Sequence, residues 1–426
     1  MELNSLDQIE NLFTFLKQNK TFHFPFLVNG LFPAAMLQES SEYTGYSYVW
    51  VRDNMHIAHA HYINGLKDVA IKNVQTFADY FIKHKHRFEN IITGKLDPGD
   101  PMNRPHIRFD GTTLCELNQK WSHAQNDALG YFLWLFCMIY NKENIPLSAQ
   151  QIELMALFVL YFEKISYWND EDNGHWEETR KIEASSIGTV IAALCQLHKL
   201  IERYNVTLQH HEDKITPAKI DTLIHLGNKF LHEILPFECI QHEPKKERKY
   251  DGALLFLIYP LCIIQDESLE NQILSNVHEN LQGEYGIRRY PGDSYWAQDY
   301  KQNFSEEDRT IDFSDNISSR DILLEPGKEA QWCIFDPVLS VIYGKRFQKT
   351  GEPDYLKLQI KHFNRSLSQL TGEDSPFGSY KCPELYYVEN GRYIPNDTVP
   401  LLWTQANLLN AFKFMRESLN IEGVIS

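Results

Sequence analysis

"DALGYFLWLFCMIY", residues 127–140, is apolar almost throughout and carries an acid only at its first position. A bilayer-spanning helix needs about 20 such residues, so this run has the length of a buried helix and no more. Around it, helical periodicity dominates. "LDQIENLFTFLKQ", 6–18, spaces its apolar residues at three and four, behind the capping candidate Ser5. Similar segments recur near 54–84, 149–166, 184–203, 217–234, 251–264, 267–281, 331–348, 354–370 and 401–416. The pattern predicts roughly a dozen helices of ten to twenty residues. Strand-like alternation is sparse, at 286–290 and at 386–393, where Asn390-Gly391 splits "YYVENGRYI" into a hairpin pattern.

The helices come in pairs separated by long connectors at 91–122, 166–182, 282–330 and 371–400. Structureless loops beyond about 15 residues are usually functional or disordered. These hold Trp, Tyr, Arg and Asp among turn-forming Pro and Gly, a composition unlike a disordered tract. Gathered on one side of an all-α scaffold, they would build a concave site. No Pro/Ser linker divides the 426 residues, so one domain is expected over 1–426.

The net charge of −16 argues against nucleic acid as a partner, because the one basic run, "PKKERK" at 244–249, is short and isolated. An acidic balance suits a protein that handles neutral small molecules. The N-terminal stretch lacks a basic region followed by a long apolar one, and no apolar run reaches membrane length. The seven cysteines stand singly without a CxxC pair, which fits reduced thiols in a cytoplasm and gives no zinc framework.

Five segments could carry chemistry. In "DNGHWEETR", 172–180, Glu177 and Glu178 directly follow Trp176, whose indole offers an apolar wall able to keep a neighbouring carboxyl protonated. Adjacent residues cannot point the same way, so the two acids have different tasks. The bland alternative is an acidic first turn of a helix. In "YSYVWVRDNMHIAHAHYINGL", 46–66, Arg52 and Asp53 stand where an extended aromatic stretch becomes helical, an arrangement able to hydrogen-bond vicinal hydroxyls. His56 and His59 share a helix face there but lack an HExxH pattern, so they read as core or groove residues. "NQKWSHAQNDALG", 118–130, leads from Trp121 to Asp127. "GEYGIRRYPGDSYW", 283–296, is a rigid turn carrying Arg289. "KCPELYYVENGRYIPNDTVPLLWTQANLLNAF", 381–412, places Glu384 after Pro383 and Trp403 at the head of the last helix.

Together and in this order, "VWVRDN", "WSHAQNDALG", "HWEE", "RRYPGDSYW" and "PELYY…LLWTQANLL" resemble glycoside hydrolase family 15, the glucoamylases. They resemble most closely the glucoamylase-like domain of the phosphorylase kinase regulatory subunits. The resemblance spans about 46–412. It implies a six-hairpin α/α toroid and an inverting, exo-acting α-glucoside hydrolase that releases glucose from a short soluble gluco-oligosaccharide, with no metal or other cofactor. Carried over by position, Glu177 is the general acid and Glu384 the general base. Arg52, Asp53 and Arg289 hold the terminal glucose, Glu178 contacts the sugar on the leaving side, and Trp121 and Trp403 wall the pocket. Trp176 and Asp127 complete the expected substrate-binding set. An inverting pair stands about 6.5–9.5 Å apart, with Glu384 ionised among polar neighbours and Glu177 protonated. The chain departs from the family at Leu385, where the residue after the base is usually Gln, and in the long acidic stretch 297–330, placed to cover the pocket. The kinase-subunit likeness keeps a second function open, a non-catalytic glucan-binding module. A toroidal lyase or uronic-sugar hydrolase would want a more basic groove.

Overall fold

The computed structural model describes residues 5–36, 44–243 and 245–425. Six helices form an inner ring: Val51–Ile63, Asn126–Glu143, Ala184–Tyr204, the short Leu255–Ile258, Phe335–Thr350 and Leu402–Ile425. Each touches the next in this order, and the last returns to the first. The first five inner helices are each followed by an outer one: Lys67–Lys83, Ala149–Lys164, Pro217–Ile234, Glu267–Asn280 and Pro353–Ser368. The sixth outer place is taken by Leu6–Gln18, which packs on Leu402–Ile425, so the two ends of the chain close the toroid.

Side-chain patterning separates the two layers. Val51–Ile63 is buried from Val51 to Tyr62, and the apolar run 127–140 is buried on every face. Most outer helices bury a single stripe, as Pro353–Ser368 buries Leu356, Gln359, His362, Phe363 and Ser366; Ala149–Lys164 is the exception, buried on every face from Leu154 to Phe162. Local signals set the ends. Ser148 and Gln151 make a reciprocal capping box, and Thr216 caps a helix whose first residue is Pro217. The single helix expected over 54–84 is two, broken at Asn64-Gly65, where Gly65 has φ 88°. The segment 251–264 yields only a 3-10 turn, Gly252–Leu254, and the Leu255–Ile258 helix, because Pro260 cannot continue a helix. Ala184–Tyr204 is, contrary to the reading of the sequence, long and apolar enough by composition to cross a membrane; here 78% of its apolar window is buried inside the protein.

Small sheets brace the loops at one end of the ring. Val49–Trp50 pairs with Arg108–Asp110, which pairs with Cys115–Glu116. Gln331–Trp332 pairs with Leu385–Glu389, which forms the expected hairpin with Arg392–Pro395 around left-handed Asn390 and Gly391. Strand candidate 286–290 is reduced to Ile287, bridged to Gln282 and Trp332.

The ring is tightest between Asn126–Glu143 and Ala184–Tyr204. A Cβ on Gly130 would stand 3.0 Å from the carbonyl carbon and Cγ2 of Thr189. Gly130→Val is therefore expected to destabilise the protein by about 1–3 kcal/mol through overpacking, read from urea unfolding. An unchanged midpoint would mean that the two helices have room to part.

Candidate active site

The acid loop hangs between Asp172 and Lys181, whose backbones bridge. Within it Gly174 is left-handed, at φ 57°, and a side chain there would collide with the Glu183 carboxylate. Glu177 is also left-handed, at φ 61°. For a non-glycine residue that conformation costs roughly 1–3 kcal/mol and persists only where its surroundings enforce it. The backbone reversal sends the two neighbouring glutamates to opposite sides. Neither belongs to a helical first turn, since the next helix begins at Ala184.

Glu178 points away from the cavity. Its carboxylate accepts from Arg248 at 2.8 Å, Arg320 at 2.9 Å, Arg289 at 3.3 Å and the Tyr290 hydroxyl. Burial pushes its pKa up, but Arg248, Arg289 and Arg320 overrule that and hold it well below the usual range. The expectation that Glu178 touches the sugar is corrected: the side chain is 2% exposed, is occupied by three guanidinium groups and does not line the cavity.

Glu177 faces the cavity, with 18% of its side chain exposed and Arg52 Nη1 at 3.5 Å. Burial raises its carboxyl to about 7, opposed by Arg52 and Arg108 and assisted by Asp53 and Asp312. Arg52 is itself clamped. Its Nε donates to Asp127 at 2.6 Å, and its Nη2 donates to Gln125 at 2.5 Å and to the Gly174 carbonyl at 3.0 Å. Asp127 is fully buried, so its expected sugar contact is also corrected; it aligns Arg52 from behind.

Glu384 lines the same cavity. Its backbone is held between Thr398 and Cys333, and its side chain is 1% exposed. Tyr46 donates to Oε1 at 2.6 Å and Asn396 to Oε2 at 2.5 Å. Burial nevertheless raises its pKa above the ordinary glutamate value, the hydrogen bonds from Tyr46 and Asn396 only moderating the rise. The polar neighbours expected around it are present, but they do not win outright. Leu385 is buried in the apolar core.

One cavity is lined by Glu177 and Glu384 together with Arg52, Asp53, Arg289, Trp121, Trp176 and Trp403. Arg289 is gripped by Asp293 through two hydrogen bonds of 2.6 and 2.7 Å. Burial raises Asp53 to about 7, with Arg52 opposing and Glu384 adding to the rise. His56 is buried, stacked on Trp403 with ring centroids 4.5 Å apart, and burial holds it neutral. The sequence reading passed over Tyr46, Tyr295 and Trp332, which also line the cavity; Tyr46 and Tyr295 lay inside segments already singled out. It gave no sign of Asn396. The 297–330 stretch does reach the mouth: Asp312, Phe313 and Arg320 line the cavity. Thr179 donates to the Ser314 carbonyl at 3.3 Å, and Lys120 pairs with Asp315, tying this stretch to two other segments.

Known proteins share this fold. A wild-type glycosidase superposes with a TM-score of 0.67 at 14% identity, over 96% of this chain and 97% of that one. A glucoamylase from Saccharomycopsis fibuligera superposes with a TM-score of 0.61 at 12% identity, over 97% and 96%. In sequence, the chain is 25% identical over 291 residues to a probable phosphorylase b kinase regulatory subunit alpha from Caenorhabditis elegans, covering 61% of this chain. The chain spans only 22% of that relative's length. The family Glycosyl hydrolases family 15 matches residues 18–377, most of the toroid. This six-hairpin α/α toroid therefore belongs to glycosyl hydrolase family 15.

Proposed function

We propose that the chain is an exo-acting, inverting α-glucoside hydrolase that releases glucose from the end of a short soluble gluco-oligosaccharide. The observation that carries this reading is the presence of two carboxyls, Glu177 and Glu384, on the lining of one aromatic-lined cavity in unlike surroundings. Glu177, raised to about 7, holds the proton that a departing sugar oxygen needs. Glu384, fixed by two donors, is the group to take a proton from water.

In the proposed reaction the terminal glucose lies against Arg52, Asp53 and Arg289, with Trp121, Trp176 and Trp403 as apolar walls. Glu177 gives its proton to the glycosidic oxygen as the bond from that oxygen to the anomeric carbon breaks. Water attacks that carbon from the opposite face and loses a proton to Glu384, giving β-glucose. Exchange with solvent returns both carboxyls to their starting states.

A second reading, a non-catalytic glucan-binding module, is favoured by the regulatory-subunit name of the Caenorhabditis elegans relative. Proton NMR during incubation with maltose, isomaltose, trehalose and maltotriose separates the two. The enzyme reading expects β-glucose first. α-Glucose first would reject inversion, and measurable sugar binding without glucose release would favour the module.

Glu177→Gln is expected to lower kcat on maltose by about 100- to 10,000-fold, the usual worth of general acid catalysis. Most of that rate should return on α-glucosyl fluoride, whose leaving group needs no proton. Glu384→Gln should suffer comparably on both substrates, with sugar affinity within a few-fold of wild type. Equal turnover in Glu384→Gln would mean that the base lies elsewhere.

The pH profile of kcat/KM follows from the same two groups. It should fall as pH rises through about 7, where Glu177 loses its proton. It should fall on the acid side as Glu384 gains one, above the ordinary glutamate pKa. Asn396→Ala removes a donor that stabilises the ionised form, so the acid limb should move to higher pH with the alkaline limb unmoved. An acid limb that stays put or moves down would contradict this placement of Asn396.

A further inference from the structure

On the outer layer, a hairpin of Leu208–His210 and Asp213–Ile215 carries two adjacent histidines. His210 is buried and His211 exposed, with ring centroids 4.1 Å apart and His211 left-handed at φ 51°. They meet Glu89, from the helix His86–Ile92. One ligand atom from each of the three lies within 4.8 Å of the others. None of them lines the catalytic cavity.

A second observation gives the cluster direction. His210 Nδ1 stands 3.2 Å from Oε1 of Glu153, on the neighbouring helix Ala149–Lys164. Lys85 donates to that same oxygen at 3.0 Å, so the carboxylate is already paired with a cation. An ionised carboxylate only accepts, so Nδ1 carries the proton and the lone pair sits on Nε2. Nε2 faces Glu89 Oε1 at 4.0 Å. A histidine with one nitrogen tied to a carboxylate and the other free is the arrangement that orients imidazole ligands on metals.

We propose that His210 Nε2, His211 and Glu89 bind a divalent transition metal ion of the zinc type, pinning the hairpin to the outer helices. Two imidazoles and one carboxylate are a donor set suited to zinc, leaving a fourth position for water. Bonds of about 2.0–2.2 Å draw ligand atoms to roughly 3.3 Å from one another, a closure that the exposed His211 supplies by turning. Lys85 also lies 3.5 Å from Glu89 and 3.0 Å from Glu153; at 39% exposed it has room to leave Glu89 to the metal while it stays on Glu153.

The test titrates the EDTA-dialysed full chain with ZnCl2 by calorimetry and follows thermal unfolding in parallel. Wild type is expected to take up one equivalent, with a rise in the unfolding midpoint that EDTA reverses. His211→Ala and Glu89→Gln should lose that equivalent, and Glu153→Gln should weaken it about 10- to 100-fold. Cobalt added in place of zinc should show a visible absorption band in wild type and not in His211→Ala. Glucoside hydrolysis should be the same in wild type and His211→Ala. No zinc uptake by wild type, or equal uptake by His211→Ala and Glu89→Gln, would overturn the proposal.

Discussion

The carboxylate of Glu178, buried among the guanidinium groups of Arg248, Arg289 and Arg320, is the interaction on which the site depends. It ties the acid loop to three other stretches of chain, including the connector over the cavity mouth. A buried charge network is tolerable only when complete, because each ion has given up its hydration. Removing Glu178 would leave three buried cations facing one another. Its fixed position also explains the strained backbone of Glu177: with one side chain anchored outward, the left-handed turn directs the preceding one into the cavity.

The toroid supplies the rest. Arg52 and Asp53 lie in the first turn of Val51–Ile63, Trp403 in the first turn of Leu402–Ile425, and Trp332 just before Phe335–Thr350. The acid loop runs into Ala184–Tyr204. Three inner helices thus present their N-terminal ends to one cavity, where their dipoles favour negative charge. Burial works in the other direction on Glu177, Asp53 and Glu384, all raised above ordinary carboxyl values. The balance leaves Glu177 and Asp53 able to exchange protons near neutral pH.

Much of this was legible in the chain itself. Periodicity located the long helices, and Asn390-Gly391 marked the hairpin beside Glu384. The ordered segments around Arg52, Trp121, Glu177, Arg289 and Glu384 pointed to one family. Direction was less legible. Sequence shows that Glu177 and Glu178 must diverge, but not which one meets the cavity, because the deciding partners, Arg248 and Arg320, are remote in the chain and stood in segments read as loops. Asp127 was misplaced for the same reason: its partner Arg52 is 75 positions away. Asn396 had no local signal, since its role appears only when the 385–395 hairpin folds back on Glu384. The failed helix at 251–264 was a local matter, with Pro260 breaking an otherwise apolar run.

The central claim is that Glu177 and Glu384 act on opposite faces of one glucose ring while Glu178 stays locked among its arginines. A crystal structure with a glucose-shaped iminosugar bound tests it most directly. The account predicts the ring against Arg52, Asp53 and Arg289, with Glu177 at the leaving-group side. It also predicts a water held by Glu384 beneath the anomeric position and Glu178 still bound to its three guanidinium groups. A sugar seated outside this cavity, or one contacting Glu178 while Glu177 turns away, would contradict it.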